Sequence, residues 1–384
     1  MSMDVVWFAE IKWDYLRTRK QQIVRRRPED VRLLYLEPYV RGRENRFALR
    51  ETEGIGVATM PFVKAVPGGP ARRLVDLGWV RRAIDARALA RARRLSREAG
   101  MPAERAVAVL SNVYAVNVAR RFGARLLAYD CNDAHGDFPG MPPWTQDYFN
   151  DACRAAQAVF VTARALGERV EAVRGGSAGV ETIGNGVEFA RFDAVRRALG
   201  PRGGDGRVRL GYVGAIAPWL DVALLARVAR ERPNWEVVLV GPQMLGVDLS
   251  PLRGLSNVAL RPPVAYEDVP RVLHDFTIGV IPFRYDALTR GVNPNKMYEY
   301  LAMGLPVVAT AFSHEVTRYP DVVHAAESAD DFLRACDDLA ALCADGERAG
   351  AFSARAAAAA ARHDWAEIAA HFWSRLRALA EAAG

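Results

Sequence analysis

Long apolar runs are missing from this 384-residue sequence. No stretch approaches the ~18 consecutive apolar residues that a membrane-crossing helix requires. The start, "MSMDVVWFAEIKWD", sets acids inside its short apolar stretch and lacks a small-residue cleavage site. That argues against a secretory signal and for a cytoplasmic protein. Cysteine is scarce: Cys131, Cys153, Cys336 and Cys343 are scattered, with no Cys-x-x-Cys pair. Such spacing fits buried thiols rather than a disulfide framework or a metal site. Zinc-finger and RRM signatures are also absent, which weakens a nucleic-acid reading.

What is present describes a soluble globular protein long enough for two domains, with 51% hydrophobic and 25% charged residues. Its net charge of +7 is unevenly placed. Residues 1–193 hold 31 Lys/Arg against 23 Asp/Glu, and the remainder 21 against 22. The excess gathers in "RTRKQQIVRRR" (17–27) and "RRAIDARALARARRLSR" (81–97). Three readings of these clusters stay open: solvated helix faces, a surface facing anionic lipid or an anionic acceptor, and nucleic acid.

Strand and helix patterns alternate along the chain, which predicts parallel sheets covered on both faces. "DVVWFAE", "VRLLYLEP", "AVAVLSN", "RLLAYDCND" and "AVFVTA" read as strands of a first domain, 1–193. "WDYLRTRKQQIVRR" reads as its first helix. The Gly-, Pro- and charge-rich 194–206 reads as a linker. A second series over 207–362 includes "RVRLGYVGAI", "WEVVLVGP" and "FTIGVIPF", and 363–384 forms a terminal helix that can return to the first domain. The expected fold class is α/β, two doubly wound Rossmann-like domains facing across a cleft, with ligands at the carboxyl ends of the strands.

The stretch "GVNPNKMYEYLAMGLPVVAT" (291–310) concentrates chemistry. Asn293 as cap and Pro294 as first residue predict a helix start whose free amides, at Asn295 and Lys296, attract anions. Lys296 adds a cation suited to a diphosphate. Glu299 is three residues on, on the same face, and its two oxygens suit a diol such as a ribose. Gly304 ends the helix. The same pattern also suits an ordinary surface helix with a Lys–Glu pair.

"NPNKMYEYLAMGLPVVAT" resembles the nucleotide-sugar motif of GT-B glycosyltransferases, especially the family 4-like group of bacterial cell-surface polysaccharide synthesis. "WDYLRTRKQQIVRR" with "VRLLYLEP", "IGNGVEFARF", "GYVGAI", "VLVGP" and "YEDVPRVLHDFTIGVIPF" are similar to other family segments, in the family's order. The resemblance implies that Lys296 holds the diphosphate and Glu299 the ribose hydroxyls. The turn at Gly214-Ala215 would approach the phosphates, and the loop from Pro263 through Val264 to Tyr266 would hold the base. Arg284 and Arg290 are further phosphate candidates, or exposed salt-bridging side chains. No cofactor is implied beyond the donor substrate, a UDP or GDP sugar, and no metal. Two departures stand out. Gly291 occupies the position of the Glu of retaining members, and "APWLD" follows "GAI" where many members place a phosphate-binding Lys.

In the first domain, "AYDCNDAHGDFPGMPPW" places Asp130, Asp133, His135 and Asp137 after a strand. Asp133, then His135, then Asp137 are candidates to accept an acceptor hydroxyl's proton, against the alternative of ordinary turn chemistry. Glu10, Trp13, Asp14 and Arg17 are expected to line an acceptor site, with Trp13 either stacking on a sugar or buried in the core.

The expected function is therefore transfer of a sugar from a nucleoside diphosphate to a carbohydrate or polyprenyl-linked acceptor in surface polysaccharide synthesis. Peripheral contact with the inner membrane face is part of that expectation, and nucleic acid is not. The alternatives are a UDP-sugar epimerase of the same fold and a non-catalytic nucleotide-sugar-binding partner subunit.

Overall fold

Each of the apolar runs read as a strand lies in one of two parallel sheets. A computed structural model describes residues 2–15, 17–63, 70–138, 140–201, 206–244 and 246–383. The chain forms two compact units, Met1–Gly184 with Ile368–Gly384, and Asn185–Glu367.

The N-terminal unit holds eight strands: β1 (Met3–Phe8), β2 (Val31–Pro38), β3 (Arg50–Thr52), β4 (Ile55–Met60), β5 (Val107–Leu110), β6 (Leu126–Cys131), β7 (Ala158–Val161) and β8 (Val180–Thr182). Their order is β3-β4-β2-β1-β5-β6-β7-β8, parallel except for β3 against β4. Val5 of β1 lies between Leu33 of β2 and Val107 of β5. β1, β5, β6 and β7 are buried along their whole length, as a sheet covered on both faces demands. The last helix, Trp365–Ala382, belongs to this unit from Ile368 onward. Phe372 stacks on Trp7 at 5.8 Å, and the Trp373 indole donates to the Ile23 carbonyl.

The C-terminal unit holds β9 (Arg209–Val213), β10 (Glu236–Val240), β11 (Val258–Arg261), β12 (Ile278–Ile281), β13 (Val307–Thr310) and β14 (Val323–Ala326). The order is β11-β10-β9-β12-β13-β14, all parallel. This is the doubly wound order in which the chain winds outward from β9, then reverses at β12. The N-terminal sheet repeats the pattern around β1 and β5.

Two expectations need correction. The first helix spans only Arg19–Arg25, where the Gln21 side chain accepts from the Thr18 amide at the start. The first residues of the expected 194–206 linker continue the helix Phe189–Leu199, whose apolar face buries Phe192, while 202–205 lie outside the described residues. The unit boundary falls at Gly184/Asn185, before that helix.

The first basic cluster is consumed internally. Arg19 pairs with Asp130 in the interior, Lys20 with Glu10, and Arg25 with Glu53. Arg27 donates to the Glu53 and Gly54 carbonyls in the β3–β4 turn.

Candidate active site

In the C-terminal unit the topology places a ligand site where β9 and β12 lie side by side, at their carboxyl ends. The backbone there is bare. Gly214 has φ +148° and Gly241 +149°, and a Cβ on Gly241 would lie 2.0 Å from the Gly214 carbonyl oxygen. Only glycine permits these two strand ends to touch.

The helix Asn295–Ala302 is fastened over this spot by its tyrosine. The Tyr300 ring lies on Gly279 of β12, where a Cβ would come within 2.4 Å, and its hydroxyl accepts from the Val213 amide at 2.9 Å. Lys296 is four residues before Tyr300 and shares its face. Its ammonium therefore sits 5.3 Å from the Tyr212 ring and 5.0 Å from the Phe283 ring, aromatics at the ends of β9 and β12. Its Cε would lie 3.1 Å from a Cβ on Gly214. The lysine spans the switch point.

Burial pushes the Lys296 pKa down, opposed by Glu299. Burial pushes the Glu299 pKa up, opposed by Lys296 and reinforced by Glu188. Among the described residues neither head group has a hydrogen-bonding partner, although both are half-buried. A site with an unused cation and an unused carboxylate at one helix end is arranged for a ligand carrying an anion and hydroxyls.

The helix start differs from the sequence reading. Pro294 is the extended N-cap residue, Asn295 the first helical one, and no side chain caps the end. Asn293 lies outside the helix, with its carbonyl accepting from the Asn185 side chain at 2.8 Å. The amides of Asn295 and Lys296 thus head the helix without a side-chain acceptor, which suits an anion. The expected stop is present: Gly304, at φ +64°, donates to the Leu301 carbonyl and Leu305 to that of Tyr300.

Of the other donor candidates, Ala215 accepts from the Tyr212 hydroxyl at 2.8 Å. Tyr266 packs on Phe192 at 5.8 Å, and burial with Glu299 and Glu188 nearby raises its pKa. Val264 is exposed. Arg284 and Arg290 are exposed, Arg290 lying over the Tyr285 ring, and neither contributes to the electrostatics of Lys296 or Glu299. Sequence reasoning missed Tyr300, Tyr212, Phe283 and Gly241. The i,i+4 spacing of Lys296 and Tyr300 was the signal available.

In the N-terminal unit, Glu10 follows β1 and His135 follows β6. His135 Nε2 lies 2.9 Å from Glu10 Oε1 and Nδ1 lies 3.1 Å from the Asp133 carbonyl oxygen. Both partners are acceptors, so both ring nitrogens donate and the ring is an imidazolium. Burial alone would lower its pKa, but Glu10 and Asp133 raise it. The Lys20 ammonium holds the other Glu10 oxygen at 2.9 Å. Against its own burial, Glu10 is kept far below the usual carboxylate range by Lys20 and His135.

This geometry corrects three expectations. His135 already holds both protons and is not free to accept another. Asp137 is paired with Arg169. Trp13 is 2% exposed, edge-on to Tyr35 at 5.2 Å and beneath the Arg25 guanidinium, so it is a core aromatic and no sugar platform. Asp133 differs: its half-buried carboxylate has no hydrogen bond among the described residues, and burial and Glu10 raise its pKa. It is the member of this cluster available to take a proton. Asp14 pairs with Arg50 beside a pocket of about 280 Å³, also lined by Lys12, Glu37, Arg43 and Arg46, and Arg17 is half-buried with a partner of its own. Within that pocket Lys12 is neutralised by Glu37 and Arg46 by Glu44.

Residues 207–342 match the family model described as Glycosyl transferases group 1. The matched segment carries Gly214, Lys296 and Glu299. TuaH of Bacillus subtilis (strain 168), named as a teichuronic acid biosynthesis glycosyltransferase, is 32% identical over 167 residues. That match covers 42% of this chain and 42% of TuaH, less than half of the relative's length. Three solved structures align along nearly the whole chain. HepE of Anabaena in complex with UDP has a TM-score of 0.66 at 14% identity, covering 98% of this chain and 100% of that one. Sucrose-phosphate synthase from Thermosynechococcus elongatus has 0.72 at 14%, covering 99% and 100%. The E. coli trehalose-6-phosphate enzyme bound with UDP-2-fluoro glucose has 0.68 at 10%, covering 98% and 99%. The fold is GT-B. Among the described residues, no helix is long and apolar enough to cross a membrane.

Proposed function

We propose that the protein is a glycosyltransferase that moves a sugar from a nucleoside diphosphate donor to a carbohydrate or polyprenyl-linked acceptor in surface polysaccharide synthesis. The observation that carries this reading is Lys296, held over the Gly214 backbone at the end of β9 with Glu299 one turn deeper. Lys296 and the uncapped amides take the diphosphate, and Glu299 takes the ribose hydroxyls. In transfer, the bond from the sugar's anomeric carbon to the diphosphate oxygen breaks and its electron pair leaves with the diphosphate. The ammonium and helix end stabilise that charge. The acceptor oxygen bonds to the anomeric carbon and its proton passes to a carboxylate, for which Asp133 is the available group. The similarity to HepE and to the E. coli trehalose-6-phosphate enzyme, both with uridine nucleotides in their structures, supports a UDP rather than a GDP donor.

The test is a thermal-shift screen against nucleotides and nucleotide sugars, followed by transfer of a labelled sugar to acceptor fractions. A ligand bound to the native state raises the melting temperature. Glu299→Ala is expected to weaken donor binding by about 1.5–3 kcal/mol, the scale of hydrogen bonds to a charged group. If no nucleotide stabilises the folded protein, the proposal fails.

Gly291 favours a second reading. It ends the short helix Ala287–Arg290 where the resemblance leads one to expect a catalytic Glu. A nucleotide-sugar-binding partner subunit would bind donor yet neither transfer nor hydrolyse it. An epimerase would convert donor with no acceptor present, which mass and sugar analysis of the products distinguishes.

A further inference from the structure

A helix end that binds an anion poses a problem of construction. A Ser, Asp or Asn side chain at the N-cap would fix the first turn, but it would do so by accepting from the amides that the anion needs. The helix Asn295–Ala302 avoids that conflict by starting from Pro294, which has neither a side-chain acceptor nor an N–H. Its first turn is therefore held by another route.

On either side the chain is fastened by its own backbone. The Val292 amide donates to the Thr289 carbonyl, and the Met297 amide to that of Pro294. Between these two bonds stands the buried Asn293, whose carbonyl accepts from the Asn185 side-chain amide at 2.8 Å, a contact across 108 positions of sequence.

Asn185 is the first residue of the C-terminal unit, and the backbone around it is closely constrained. Val187, fully buried, pairs in parallel with Asp364. Its amide donates to the His363 carbonyl and its carbonyl accepts from the Trp365 amide, each at 3.0 Å. The Asp364 carboxylate accepts from the Phe189 amide at 3.1 Å. On the other side, the Gly184 carbonyl accepts from the Arg19 guanidinium at 2.6 Å, and Arg19 is itself held by Asp130. A side chain planted on so restricted a stretch is a fixed post.

We propose that Asn185 is a positioning residue for the donor diphosphate. By holding the Asn293 carbonyl from outside the helix, it orients the amides of Asn295 and Lys296 and leaves both free for phosphate oxygens. It acts through the backbone, without touching the donor. This inference rests on the donor reading given above and adds a residue to it. A turn set in advance raises affinity, because the ligand does not have to order it. The gain belongs to the diphosphate alone, since in that reading the ribose is held by Glu299, one turn deeper.

The experiment measures the affinity of UDP and of uridine, with GDP and guanosine in parallel, by ligand-observed NMR titration of the full chain. The proteins compared are wild type, Asn185→Ala and Asn185→Asp. The wild type binds a nucleoside diphosphate more tightly than its nucleoside. Both variants lose roughly fivefold or more in affinity for the diphosphate, the scale of one hydrogen bond, and keep the wild-type affinity for the nucleoside. Asn185→Asp is the stricter variant, because it preserves the size of the side chain and replaces only the donor, and it decides alone if Asn185→Ala does not fold. Wild-type diphosphate affinity in Asn185→Asp overturns the proposal. So does an equal loss for diphosphate and nucleoside, the signature of a general loosening of the unit. A wild type that binds neither diphosphate overturns the donor reading and this proposal with it, whereas the first two outcomes leave the donor reading standing.

Discussion

The role proposed for Lys296 makes donor binding a proton-linked event whose size follows from the residue's surroundings. Burial between Tyr212 and Phe283 draws its pKa down to about 8, so the free site loses its proton inside an accessible pH range. A diphosphate beside it favours the charged form and draws the proton back. At pH 7 about nine sites in ten carry the ammonium, and at pH 9 about one in ten. Affinity for a nucleotide sugar, whose diphosphate does not titrate in this range, should therefore fall roughly five- to tenfold between pH 7 and pH 9, the ionisation of Glu299 offsetting part of the loss. Titration calorimetry at pH 8 in two buffers of different ionisation enthalpy should register uptake of about half a proton per site. Lys296→Met should bind more weakly at pH 7 and show neither effect. Affinity that does not fall from pH 7 to 9 in the wild type, or a fall that survives in Lys296→Met, would refute the assignment of this lysine to the diphosphate; Glu299, whose pKa burial raises to about 7, can only strengthen ribose binding as it ionises with rising pH.

Three further outcomes test the remaining geometry. Asp133→Asn should lower turnover by about 10²–10⁴-fold, the usual scale of a lost general base, while leaving donor affinity unchanged. Unaltered turnover would move the base elsewhere. Glu10→Gln strands the Lys20 ammonium and the His135 imidazolium in the interior and should cost about 3–5 kcal/mol in urea unfolding. It should also flatten the pH–stability curve at both ends. The raised His135 pKa contributes stability that is complete below 6.5 and lost as pH climbs through the folded value, while the depressed Glu10 pKa contributes stability present above 4.5 and lost in acid. Tyr300→Phe removes the acceptor for the Val213 amide and should destabilise by about 1–3 kcal/mol in the same assay. A variant as stable as wild type would mean that the tyrosine hydroxyl does not fasten the helix.

Much of the fold was legible because parallel strands buried on both faces read as unbroken apolar runs, and "VRLLYLEP" is β2 from end to end. The β3–β4 hairpin was not, because "RETEGIG" is charged and its turn is Glu53-Gly54. Asp-Gly or Asn-Gly is the usual signal for a two-residue turn with positive φ, yet Glu53 adopts +49° beside Gly54 at +67°. Arg27, donating to both carbonyls of that turn, supports the unusual choice. It also shows why local charge misled. In the sequence Arg17–Arg27 is a run of cations, and only long-range pairing reveals Arg19 and Lys20 as interior, to Asp130 and Glu10, and Arg25 as tied to Glu53 at the surface.

The candidate sites divide along the same line. Lys296 and Glu299 could be singled out as a pair because both chemistry and spacing lie within one helix, where a one-dimensional reading suffices. Their position was not, since it depends on a glycine in β12 and an amide in β9 that receive a tyrosine from that helix. His135 shows the opposite case. Its residue type and place after a strand recommended it as a base, and its partners reverse the assignment. A histidine facing a carbonyl and a carboxylate is charged whatever the sequence around it suggests. Glu10 lies 125 positions from His135 in the chain, and no local pattern links them. The consequence reaches Asp133, because the cations that hold Glu10 ionised also stand near its carboxylate. Burial and Glu10 raise the Asp133 pKa, while His135 and Lys20 restrain it. A carboxylate balanced in this way is a stronger base than an exposed aspartate, and the balance depends on His135 staying charged.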